Sequence, residues 1–118
     1  MNRPALRRGQ IWLVDWSPGR GSGQPGRRPA LVFQTDAANS NPRYPNTIII
    51  TISTKGLEVV THVRLEPDAT NGLRETSWAK CEQILTISKD RLIEKWGTIS
   101  PRDLRRAEEA ARIALGLD

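Results

Sequence analysis

Cysteine, histidine, methionine, phenylalanine and tyrosine each occur once in the 118 residues. A lone Cys81 cannot close an internal disulfide, and with His62 as the single histidine a zinc cluster is out of reach. No apolar run approaches the roughly 18 residues that would span a bilayer, so no membrane partner is expected. Met1 to Arg8 carries basic residues but lacks the apolar stretch of a secretory signal, which points to a cytoplasmic protein. Carboxylates are poorly placed for chemistry: Asp15 stands apart from any second acid, and no acid pair has the spacing of a glycosidase or a two-metal nuclease. The expectation is a protein with no metal and no cofactor.

What the chain has in abundance is arginine and glycine, and both gather near the start. Fourteen of the 18 basic residues are arginine, and the formal net charge is +5. Residues 1–28 hold six arginines (Arg3, Arg7, Arg8, Arg20, Arg27, Arg28) against Asp15 alone, whereas the remaining ninety residues carry twelve charges of each sign. The whole excess therefore belongs to one segment. Within it, Gly19-Arg20-Gly21-Ser22-Gly23-Gln24-Pro25-Gly26-Arg27-Arg28-Pro29 has four glycines that let the backbone turn and approach a ligand closely. Ser22, Gln24, Arg27 and Arg28 offer donors for phosphate, sugar or base edges, and Pro29 stiffens the exit from the loop. A solvated basic tail would account for charge alone. Charge concentrated beside a glycine-rich loop favours an anionic partner, nucleic acid first.

The rest of the chain reads as one domain, residues 1–118. Gln10 to Trp16 alternates as a first strand, with Ile11, Leu13 and Asp15 on one side and Trp12, Val14 and Trp16 on the other. Pro29 to Gln34 is a second strand, and the long loop between the two makes a hairpin. Thr35 to Pro42 resembles one capped helical turn. Asn46 to Thr54 is β-branched throughout Thr47–Ile52, which suits a central strand buried on both faces. Val59 to Leu65 alternates as a half-exposed strand. In the strand Ser77 to Ile87, Trp78, Lys80 and Glu82 fall opposite Ala79, Cys81 and Gln83. Ser88 to Leu92 reads as a helical turn and Ile93 to Ile99 as a last strand. A final helix has Ser100 as its cap, Pro101 in its first turn and Gly116 as its stop. Its inner face is Leu104, Ala107, Ala111 and Leu115, with a docked end at Ala114–Asp118. Antiparallel strands followed by a docked helix make an α+β domain, most simply a small twisted barrel. With limited interior, some of Trp12, Trp16, Trp78 and Trp96 are expected at an interface or groove, and a homodimer follows.

With one histidine, a two-histidine scheme for cleaving RNA is not available within the chain, and His62 in its alternating strand reads as a partly exposed strand residue. Chemistry that needs neither metal nor external nucleophile remains. RNA carries its own nucleophile, the 2′-hydroxyl beside the scissile phosphate. A protein then has only to align that group and stabilise the charge that builds on phosphorus. An arginine at a loop–strand junction can do the second job. Ser53 and Thr54, at the end of the third strand, are the natural hydroxyls to hold a phosphate oxygen.

Several segments are similar to the MazF/PemK family of toxin endoribonucleases. They are Arg8-Gly9-Gln10-Ile11-Trp12, then Pro18 through Gly21-Ser22, Gln24 and Gly26-Arg27-Arg28-Pro29-Ala30-Leu31-Val32. Further on come Ile50-Thr51-Ile52-Ser53-Thr54, Glu82-Gln83-Ile84 with Ile87, and Lys89-Asp90-Arg91-Leu92. The resemblance spans residues 8–117. It implies a homodimer of small SH3-like antiparallel β-barrels, each with a C-terminal α-helix. It also implies metal-independent cleavage of single-stranded RNA at short sequences, leaving 2′,3′-cyclic phosphate and 5′-hydroxyl ends. A cognate antitoxin would cover the RNA groove, acidic and partly disordered when free because that groove is basic. On this pattern Arg28 corresponds to the catalytic arginine, and Ser53 falls at the usual catalytic threonine. Ser22, Gln24 and Gln83 match RNA-contacting residues, and Arg27 and Thr54, beside the catalytic pair, are expected to bind RNA as well. Gly23 stands where many members carry Glu, and Leu85 where an Arg often follows, which leaves the general base open. The alternatives are a gyrase-poisoning toxin on the same barrel or an RNA-binding module without activity.

Overall fold

The computed structural model describes residues 4–16 and 26–118. Its elements run β1 (Gln10–Asp15), β2 (Arg27–Val32), α1 (Asp36–Asn39), β3 (Asn46–Ser53), β4 (His62–Leu65), β5 (Ser77–Ser88), a 3-10 turn (Lys89–Arg91), β6 (Leu92–Thr98) and α2 (Pro101–Leu115). The strands form one antiparallel sheet in the order β4-β5-β3-β2-β1-β6. This is the expected α+β class, but the sheet ends at β4 and β6 and does not close on itself, so "barrel" describes its curl rather than a sealed ring.

The alternation read from β1 fits the packing. Ile11 joins Leu31, Ile50, Ile52, Val63, Leu65, Ala79 and Cys81 on the face that α2 covers with Ala107, Ala110 and Ala111. Trp12 and Val14 join Ala30, Val32, Ile49, Ile87 and Leu92 on the opposite face. β3 is thus buried on both sides at its centre, because Ile49 and Ile50 feed different clusters. Burying a large aliphatic side chain contributes about 1.5–3 kcal/mol, so these two apolar layers dominate the stability. The Trp12 indole N–H, deep in one layer, donates to Gln10 Oε1 at 2.8 Å and is left without a penalty.

α2 begins as its sequence requires: the Ser100 hydroxyl accepts from the Asp103 N–H at 3.0 Å, a cap worth about 1 kcal/mol. It ends at Gly116, in the left-handed region at φ 70°. Its far end departs from expectation. Ile113, Leu115 and Leu117 are about half exposed or more, so the docked inner face stops at Ala111. The start of β4 is also displaced: Val59 and Val60 lie in an exposed turn, and the strand begins at His62. Valine favours extended backbone only where a pleated neighbour packs on it, and none does here.

β5 contains the feature that shapes the site. Ile50 pairs with Ile84, yet the next β3 residue, Thr51, pairs with Lys80. Cys81, Glu82 and Gln83 are therefore extra in β5, and Cys81 turns its N–H to Thr61 O at 2.8 Å instead. Such a bulge bends the strand and re-aims its side chains.

Candidate functional site

A cleft of about 310 Å³ opens on the sheet face that carries the Trp12 layer, beyond the end of that layer. It is lined by Trp16, Arg28, Pro29, Thr51, Ile52, Ser53, Lys80, Gln83 and Leu85. Strand register explains why these residues meet. Ala30 pairs with Thr51. Two residues further along the same antiparallel ladder, Arg28 comes opposite Ser53 on the same face. Thr51 and Ser53 pair in turn with Lys80 and Trp78 of β5. The cations Arg28 and Lys80 thus enter from β2 and β5, with the Ser53 hydroxyl on β3 between those strands.

Polar groups in the cleft are aimed by their neighbours. The Lys55 N–H donates to Ser53 Oγ at 3.1 Å, which leaves the serine proton available to a ligand. The Thr51 hydroxyl donates to Gln83 Oε1 at 2.5 Å, so the amide N–H₂ of Gln83 is the end left to donate. Trp16 closes the base of the hairpin, with its backbone N–H on Gly26 O at 2.9 Å and its indole N–H on Arg28 O at 3.3 Å. Its ring forms one wall. Among the described lining residues there are two cations and no carboxylate, a composition suited to phosphate. No three His, Cys, Asp or Glu side chains gather as metal ligands among the described residues.

The structure therefore brings Arg28, Ser53 and Gln83 to one cleft. Arg27 and Thr54 are exposed next to it but do not line it. Ser22 and Gln24 lie outside the described residues. Gln83 reaches the cleft for a reason the sequence concealed. Simple alternation puts it on the side of buried Ala79 and Cys81, and the three-residue bulge turns it to the side of Lys80. Three lining residues were not singled out from the sequence: Thr51, Lys80 and, as an assigned groove residue, Trp16. Lys80 could have been found as the β5 neighbour of the strand that ends in Ser53. Arg8, by contrast, belongs to the framework. Its backbone N–H donates to Asp36 Oδ1 at 2.6 Å, its Nη1 pairs with Glu108 at 2.6 Å and its guanidinium lies 4.7 Å from the Phe33 ring centre.

Behind the cleft, burial alone would raise the Glu82 carboxyl. Hydrogen bonds from His62, a backbone N–H and Thr61 outweigh it and hold the group below the ordinary carboxylate range. Neighbouring Cys81 is fully buried. Burial, with the Glu82 charge adding to it, pushes its thiol up to about 12, which makes it a core residue rather than a nucleophile.

The sequence profile described as the PemK-like, MazF-like toxin of type II toxin–antitoxin systems matches residues 7–115. The chain is 36% identical over 116 residues to the Endoribonuclease MazF of Staphylococcus epidermidis, covering 96% of this chain and 93% of that protein. Identity to the Endoribonuclease MazF of Staphylococcus saprophyticus is also 36%, over 115 residues, with 95% and 92% covered. Among solved structures, a mycobacterial endoribonuclease in complex with its cognate antitoxin matches with a TM-score of 0.81 at 24% identity, covering 97% of this chain and 98% of that one. The MazE–MazF complex of Deinococcus radiodurans matches with 0.79 at 19% identity, covering 98% and 100%. At those identities the structural likeness is one of fold. The profile match runs from before β1 to the end of α2, and curated relatives share more than a third of the sequence along nearly its whole length: the chain belongs to the PemK-like, MazF-like toxin family of type II toxin–antitoxin systems.

Proposed function

We propose that this endoribonuclease cuts single-stranded RNA at Arg28 and Ser53, using the RNA's own 2′-hydroxyl as nucleophile. The oxygen of that hydroxyl gives up its proton to water and bonds to the adjacent phosphorus as the bond to the 5′-oxygen breaks, and the departing 5′-oxygen takes up a proton from water. The ends left are a 2′,3′-cyclic phosphate and a 5′-hydroxyl. A guanidinium is a planar, delocalised cation, so the part of Arg28 is to stabilise the negative charge of the phosphorane, with Lys80 adding to the field. Ser53 donates to a non-bridging oxygen. Serine keeps the hydroxyl of the family's threonine but lacks the methyl that restrains χ1, and the Lys55 N–H supplies part of the missing restraint. Gln83 and the Trp16 ring hold flanking nucleotides by hydrogen bonding and stacking.

The observation that carries this reading is the convergence of Arg28, Ser53, Lys80 and Gln83 from three strands on one cleft. The test is a substrate with deoxyribose at the mapped cut site. Cleavage there should disappear, with binding retained. Cutting at an undiminished rate would overturn the mechanism.

As partners we propose a second copy of the chain and an acidic antitoxin that competes with RNA for the basic cleft; the mycobacterial structure neighbour is itself held by its cognate antitoxin. The exposed Ile113, Leu115 and Leu117 favour one second reading, a toxin that acts on a protein such as gyrase through the end of α2. Supercoiling and RNA-cleavage assays on the same preparation separate the two.

A further inference from the structure

His62 lies outside the cleft, yet both of its ring nitrogens are committed. Nδ1 accepts the Leu57 N–H at 3.0 Å, and Nε2 meets Glu82 Oε2 at 3.1 Å. An acceptor at Nδ1 and a carboxylate at Nε2 fix the tautomer with the proton on Nε2. The residue is partly exposed, as its alternation suggests, but its side chain is only 7% exposed. What it joins is informative. Leu57 belongs to the segment that leaves Ser53, a segment already tied back by Lys55 on Ser53 Oγ. At Gly56 that segment lies so close to the Trp78 indole that an added Cβ would come within 2.1 Å of it. Glu82 is the middle residue of the β5 bulge, directly before Gln83, whose carbonyl takes the Thr51 hydroxyl. One imidazole thus bridges the segment after Ser53 and the bulge that presents Gln83.

We infer that His62 is a positioning residue: it locks the post-Ser53 segment to the β5 bulge, so that Ser53 and Gln83 face one bound strand at a fixed separation. Its consequence for cleavage rests on the RNA reading above, whereas the lock itself does not. A displacement of about 1 Å at reacting groups can cost on the order of 100-fold in rate.

The experiment has two arms. Without RNA, amide hydrogen exchange is followed at Lys55 and Leu57 in the full chain and in His62→Leu, His62→Gln and Glu82→Ala. With RNA, single-turnover cleavage is measured with protein in saturating excess over an oligonucleotide spanning a mapped cut site, with thermal melting as the check on folding. We expect His62→Leu to speed Leu57 exchange at least ~10-fold and to slow cleavage ~10- to 100-fold. His62→Gln, which retains one acceptor and one donor, should recover most of both. Combined with Gln83→Ala, the loss from His62→Leu should be smaller than in the parent. Unchanged Leu57 exchange, parental cleavage by His62→Leu, or no rescue by Gln would each overturn the inference. If His62→Leu does not fold, Glu82→Ala decides, since at an exposed residue it cuts the tether from His62 to the bulge; a parental rate there overturns the inference. A parental chain that cleaves no RNA would sink the functional reading, and the exchange arm would still decide whether the lock exists.

Discussion

An arginine carries its charge at any working pH, so what Arg28 contributes depends on where β2 aims it. Two residues before Ala30 on the β2–β3 ladder, it is aimed at the end of β3 and Ser53. On the proposed mechanism, replacing it with alanine removes a fixed donor to the transition state, and the single-turnover rate should fall at least ~100-fold. A near-parental rate would show that the guanidinium does not act on the phosphate. Cys81 makes the opposite case, a reactive side chain that the fold silences. With the thiol at about 12 instead of 9.0, the native protein at pH 8 should resist iodoacetamide, and denaturant should make it reactive. The proton is held by the folded state and released by the unfolded one between about pH 9 and 12. Stability from this group is therefore complete below 9 and is lost as pH rises through that window.

At the scale of elements, the order of strands and helices was legible because its signals are local. Alternation in β1, β-branching in β3 and the Ser100–Pro101 start of α2 each act within a few residues. Val59 and Val60 misled because strand propensity expresses packing that the turn does not supply. The β5 bulge was illegible for a different reason: it is a mismatch of register between β3 and β5, strands some thirty residues apart, and neither sequence carries it alone. A related long-range contact is testable. A Cβ on Gly97 would come within 2.3 Å of Thr70 O, and one on Gly72 within 2.2 Å of Trp96 O, so β6 and the loop before β5 meet backbone to backbone. Gly97→Ala should destabilise the fold by about 1–3 kcal/mol through forced backbone displacement, read as a lower urea midpoint at unchanged slope. An unchanged midpoint would mean that the loop yields freely.

For the molecule as a whole, charge and apolar surface bear on partners. The basic excess of residues 1–28 is not all available to an anion, since the Arg8 guanidinium is engaged by Glu108, the Phe33 carbonyl and the Phe33 ring. Of the four tryptophans, Trp12 is in the core and Trp16 walls the cleft, which fits the expected division of that residue between interior and groove. Exposed Leu57, Val59, Val60, Leu85 and Ile93 leave apolar area uncovered by the chain itself. Sedimentation at micromolar concentration should give twice the 13.2 kDa chain mass. A monomer throughout the range would refute the proposed homodimer.

From its sequence alone this protein had its α+β class, its order of elements, a basic glycine-rich hairpin and, through family resemblance, Arg28, Ser53 and Gln83. Those features are carried by short patterns of polarity, propensity and spacing. Tertiary structure alone decided that the sheet stays open and that Gln83 turns to the side of Lys80. It also decided that Lys80, Thr51 and Trp16 complete the cleft and that His62 is tied at both nitrogens. Each of these depends on the register between distant strands, which is set by how two apolar layers pack against each other and not by the residues next along the chain.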